Sequence, residues 1–145
     1  RGSARLLLDQ PEAAEKDLSW ALSLDPGLAL ALIKRCMARY KLQRYAEALA
    51  DCEAYVPLMP AEPYGYYVRG LMRDRTGDHD GAVASYRRSI ELETDPESIA
   101  NAWYGIGLAN ERAGRSADAR DAYLQALEVV PAHSLSQTGL KRIGR

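Results

Sequence analysis

Apolar residues along this chain recur at spacings of three and four, as in Leu42, Tyr45, Ala48, Leu49 and Cys52. That period gathers them on one face of an α-helix, where alternation would have signalled a strand. The runs come in pairs of roughly 13 residues with a short break between, so helix–turn–helix units are predicted throughout. Asp9, Gln43, Gly77 and Gly114 mark the turns, and glycine tolerates the left-handed backbone such a turn requires. Pro26, Pro60, Pro96 and Pro131 close the pairs, because proline ends one helix and suits the first turn of the next.

The pairs are copies of one another. RGSAR (1–5), RCMAR (35–39), RGLMR (69–73) and IGLAN (106–110) share a small residue in second place: Gly2, Cys36, Gly70 and Gly107. Downstream stand Ala14, Ala48, Ala82 and Ala119, separated by 34, 34 and 37 residues, and four residues on come Leu18, Cys52, Tyr86 and Tyr123. Leu32, Tyr66 and Trp103 precede the small residue by four. The longer last step reflects an insertion in IELETDP (90–96) and one more residue before Trp103. Small residues in these two columns let paired helices cross closely.

This pattern resembles the tetratricopeptide repeat, a 34-residue helix–turn–helix unit. The last unit matches most fully, with Trp103, Ile106, Gly107, Gly114, Ala119, Tyr123, Ala126 and Pro131. The resemblance implies an all-α fold, a right-handed α-solenoid of antiparallel helix pairs. About three and a half units are expected in one domain, over 1–27, 28–61, 62–98 and 99–132. A capping helix over 133–144 should turn Leu135, Leu140 and Ile143 inward. Arg1-Gly2 matches a point midway along a first helix, which suggests a fragment of a longer array or a damaged N-terminal cap. Departures from the pattern are Tyr55 and Ser89 in the second alanine column, and Arg35 and Arg69 where leucine is usual.

Those arginines need partners. Within a repeat Arg69 would face Ser85, so pairing with the preceding unit is preferred: Asp17 with Arg35 and Asp51 with Arg69, two structural ion pairs between repeats. Cys36 and Cys52 fall among helix-core residues and read as small buried hydrophobes, not as a bridge.

The resemblance also implies that the first helix of each unit lines a concave, peptide-binding face. The residues so placed are Leu30, Ile33, Met37, Tyr40 and Lys41; then Tyr64, Tyr67, Leu71, Asp74 and Arg75; then Asn101, Tyr104, Leu108, Glu111 and Arg112. Tyrosines, a methionine and arginines suit a protein or peptide partner, with large contact area and a polar handle. Some members of the family hold a chaperone's C-terminal carboxylate with Lys, Asn, Asn, Lys and Arg; the matching places here read Ile33, Met37, Val68, Asn101 and Gly105. The expected function is therefore a non-catalytic adaptor with an apolar groove. The alternatives are self-assembly through open repeat ends, or the recruiting arm of a larger enzyme or secretion or assembly protein.

Composition narrows this further. The net charge is −1 and basic residues are dispersed, which argues against nucleic acid. No apolar run approaches the roughly 18 residues of a membrane span, so no membrane insertion is expected, and a cytoplasmic location is favoured. No phosphate loop, metal-protease or nucleophile-elbow motif occurs, so neither an enzyme nor a cofactor is expected. DRTGDHDGA (74–82) invites a calcium reading, but the calcium-loop template puts Thr76 and Arg87 at its ends. The stretch reads as a corner instead: Gly77 the turn, Asp78 a helix cap, Asp80 favouring the helix start, and Asp74 left for binding.

Overall fold

A computed structural model describes residues 9–144; RGSAR, and with it Gly2 of the small-residue column, lies outside the described residues. Those residues form eight helices and no strand: α1 (Pro11–Leu24), α2 (Ala29–Lys41), α3 (Tyr45–Leu58), α4 (Pro63–Arg75), α5 (His79–Leu92), α6 (Pro96–Arg112), α7 (Ser116–Val129) and α8 (Ser134–Ile143). All four turn positions have left-handed backbone, with φ of 58° at Asp9, 61° at Gln43, 92° at Gly77 and 78° at Gly114. No described helix is long and apolar enough to cross a membrane. The chain divides into two compact units, one ending at Pro60 and one beginning at Ala61.

In the first unit α1 packs on α2, and α2 pairs with α3 around Ala14, Leu18, Leu32, Cys36, Ala48 and Cys52. Cys36 and Cys52 are joined by a disulfide, with Cα atoms 6.2 Å apart, well inside bridging range. The expectation of two unbridged core thiols is corrected. Each cysteine occupies a column where the paired helices cross closely, so the side chains that fill the crossing point at one another.

The expected partner of Arg35 is corrected too. Arg35 places Nε and NH2 on the Asp51 carboxylate at 3.0 and 2.6 Å, and NH1 on Ser19 Oγ at 3.2 Å. Arg39 adds NH1 at 3.0 Å to the same carboxylate. The partner shown for Arg35 is thus Asp51 of its own hairpin, where the sequence pointed to Asp17 of the preceding repeat. Adding 34 to each number gives the second unit's version. There Arg69 Nε and Arg73 NH1 donate to Ser85 Oγ at 3.0 and 3.1 Å. The register is the same and the acceptor is neutral, so the within-repeat partner set aside on the sequence is used in both hairpins. The reason is geometric: residues 16 apart stand level on paired helices, as the Cys36–Cys52 bridge of the same separation does.

In the second unit α4 pairs with α5 and α6 with α7, while α5 also packs on α6 and α7 on α8. Ala82, Tyr86, Ala102, Ile106, Ala109 and Ala122 form the core, flanked by Tyr67, Val83, Ile90 and Trp103. The insertion becomes helix: α6 has 17 residues against 13 in α4, one further turn ahead of Trp103. Asp78 caps α5 by accepting from Gly81 N at 2.9 Å, and Asp95 caps α6 by accepting from Ser98 N at 3.0 Å. Helix α8 departs from its expected face at Leu135. Ser136 and Gly139 are buried, Leu140 and Ile143 are half-buried, and Leu135 is 52% exposed. A Cβ on Gly139 would stand 2.7 Å from Cζ of Tyr123; so close an approach puts the small residues inward and turns Leu135 out.

Candidate functional site

In the first unit, Met37 and Tyr40 of α2 are half-buried, and Tyr40 leans on Tyr45 with ring centroids 5.8 Å apart. Lys41 is exposed and meets Asp9 at 3.2 Å. Ile33 departs from its expected role: at 5% exposure it belongs to the core.

In the second unit α4 and α6 touch directly. Tyr64, Tyr67 and Leu71 recur on α4, and Tyr104 and Leu108 on α6, at spacings that keep each set on one face. Tyr64 is 48% exposed; Tyr67, Leu71, Tyr104 and Leu108 are half-buried. Each inner tyrosine rests on the tyrosine of its own hairpin's second helix. Tyr67 meets Tyr86 edge-on at 5.6 Å, and Tyr104 meets Tyr123 at 5.8 Å and the His133 ring at 6.0 Å. One side of each ring is fixed while part of it stays accessible, which is how aromatic anchors offer contact area at little entropic cost.

The polar residues of this face are largely engaged by the protein itself. Asp74, expected to be available for binding, is only 5% exposed. One of its oxygens meets His79 Nδ1 at 2.8 Å, and the other pairs with Arg112 of α6. Buried acids need such partners, so Asp74 is a tie between α4 and α6 and not a free ligand. Asn101 Oδ1 pairs with His133 Nε2 at 2.7 Å, and His133 Nδ1 with Ser136 Oγ at 2.8 Å. Glu111 accepts from Tyr123 Oη at 2.7 Å and from Arg142 Nε and NH2 at 2.7 and 2.8 Å. Arg75 and the Arg112 side chain remain exposed at the rim. The sequence did not indicate His133, Tyr123 or Arg142 as partners. Only Tyr123 carried a signal, as the residue four beyond the close-packing alanine.

The Arg142 guanidinium, and after it the Tyr123 hydroxyl, hold the Glu111 carboxyl below its usual range. Burial, followed by the bond to Glu111, pushes the Tyr123 phenol up. A depressed carboxyl stabilises above its unfolded pKa, and that contribution fades as pH falls through the folded value. Lowering pH from 6 through the carboxylate range near about 4 and below should therefore loosen α8 selectively. Amide protection factors, which remove the intrinsic pH dependence of exchange, should fall in α8 ahead of α4–α7; an equal fall throughout would contradict the clamp.

Among the described residues no group of three or more His, Cys, Asp or Glu could hold a metal ion. In DRTGDHDGA each carboxylate has a protein partner, with Asp80 meeting Arg115 at 2.9 Å beside the Asp74 and Asp78 contacts above.

Comparison with known proteins agrees with this architecture. A family model described as tetratricopeptide repeat matches residues 67–134. The Hsp70-Hsp90 organizing protein of Triticum aestivum is 30% identical over 122 residues, 84% of this chain and 20% of that protein. The photosystem I assembly protein Ycf3 of Synechococcus elongatus is 33% identical over 70 residues, 48% of this chain and 40% of that protein. The chain thus spans less than half the length of either relative. Among solved structures, MamA superposes with a TM-score of 0.87 at 20% identity, over 98% of this chain and 81% of that one.

Proposed function

Because the chain belongs to the tetratricopeptide-repeat family, we propose that it is a non-catalytic protein-interaction module taking a peptide segment of a partner on the α4–α6 face. One observation carries this reading. The aromatic and aliphatic stripe of Tyr64, Tyr67, Leu71, Tyr104 and Leu108 stays accessible, while Asp74, Asn101 and Glu111 are engaged internally. Such a face suits an extended or helical segment with apolar anchors. It does not suit the acidic tail bound by some relatives through a basic clamp. At the clamp positions Ile33 and Val68 are core residues, Gly105 has no side chain, and Asn101 is taken by His133.

Selection from a phage-displayed library of random peptides tests the proposal. Enriched sequences should carry spaced apolar residues, and Tyr64→Ala or Tyr104→Ala should weaken the selected peptides at least about tenfold, as loss of a central aromatic anchor does. Tyr64 is the cleaner variant because half of it faces solvent already. No enrichment, or affinities unmoved by either change in a variant that melts normally, would overturn the reading.

A further inference from the structure

At one end of the α4–α6 face lies a cavity of about 180 Å³, lined by Tyr64, Tyr67, Ser89, Glu93, Ser98 and Asn101. It exists because of the insertion: Ser98 stands on the turn that α6 has in excess of α4, and Glu93 in the short connection that leads into that turn. Sites for whole small molecules run to about 300–1,000 Å³, so this volume suits one side chain.

Its chemistry is specific. Glu93 Oε1 accepts from Thr94 N at 3.0 Å and Asp95 N at 3.1 Å, which fixes the carboxylate. Its Oε2 has no protein partner among the described residues. Ser89, only 4% exposed, lines the cavity without a hydrogen bond to its hydroxyl among the described residues. An apolar occupant would bury both oxygens unsatisfied, at a cost, and an acidic one would be repelled by Glu93. The start of α6 carries partial positive charge, but Asp95 caps it and Glu97 stands in its first turn, so the net field is negative. No basic residue lines the cavity. The tyrosine walls offer apolar surface for a methylene stem and ring faces for a cation.

We infer that this cavity takes one arginine or lysine side chain of the bound partner, its stem between Tyr64 and Tyr67 and its charged head on Glu93 Oε2 and Ser89 Oγ. The inference rests on the peptide-groove reading and adds a required basic residue to the partner.

The test uses N-acetyl-arginine methylamide, with the norleucine and glutamate analogues as comparisons, titrated at low salt into isotope-labelled protein. Saturable amide shifts are expected at Ser89, Glu93, Ser98 and Asn101, with the arginine compound binding at least about tenfold tighter than norleucine, the step one charge-assisted bond supplies. Glu93→Gln keeps an oxygen for the Thr94 and Asp95 amides, so melting should hold while the preference for arginine disappears. No localised saturable shift, equal affinity for norleucine, or a preference that survives Glu93→Gln would overturn the inference. Because the compounds are not peptides, each of those results leaves the library selection to judge the groove. A library that enriches nothing while the arginine compound binds would instead remove the groove reading and keep the cavity.

Discussion

Asp51→Ala should lower the stability of the first unit by about 3 kcal/mol, the low end of the cost of stripping one member from a buried ion pair. The Asp51 side chain is 3% exposed and takes three charged hydrogen bonds from Arg35 and Arg39, whose side chains are 18% and 15% exposed. Removing it leaves the Arg35 guanidinium with only Ser19 Oγ beside it, and Arg39 with the looser acids Glu15 and Glu47 at 3.7 and 3.9 Å. The arginines' residual exposure is the reason for the low end of the range. The second unit already shows a milder solution, since Ser85 receives Arg69 and Arg73 through a hydroxyl. Asp51→Ser should therefore lose clearly less than Asp51→Ala. Urea unfolding of the three proteins decides the matter; a loss below about 1 kcal/mol for alanine would mean that the arginines solvate themselves, as surface pairs do.

Gly107→Ala is expected to cost the second unit about 2 kcal/mol, although alanine is the better helix former by about 1 kcal/mol. A Cβ at this position overlaps Cε1 and Cδ1 of Tyr123. That ring has nowhere to go: it is fully buried, and its hydroxyl is held by Glu111. Gly105→Ala meets the Tyr86 ring at 2.5 Å and should cost nearly as much, while Gly70→Ala meets the same ring at 3.0 Å and should cost less. Thermal unfolding should rank them in that order. A stabilised Gly107→Ala would show that helix propensity, and not the ring beneath, governs the position. Two tyrosines thus explain why three glycines survive inside helices, where each sacrifices propensity.

The local part of this molecule is legible in the sequence. A three-and-four apolar period, glycine or a polar residue at each corner and proline at each close are short-range signals, and they mark the corners, at all four of which the backbone is left-handed. Aspartates that crowd one corner read correctly as capping at Asp78, because a cap needs only its own next turn. The sequence misleads over which polar and apolar side chains meet across a helix crossing. The repeat columns point Arg35 at Asp17, yet the helices' rotation puts Asp51 level with it. Asp74 appeared free for a ligand, but Arg112, 38 residues on, occupies it. Leu135 was placed inward by hydrophobicity and is displaced by the closer packing of Gly139 on Tyr123.

The sequence by itself determined that the chain is a series of helical hairpins of one repeat family, because repetition and turn chemistry act over a few residues. Only the tertiary structure decided that the two cysteines are bridged, which polar groups of the α4–α6 face are already engaged, and that the three-residue excess becomes a helical turn with a cavity beside it. Those outcomes depend on ångström-scale distances between helices, which no local pattern encodes.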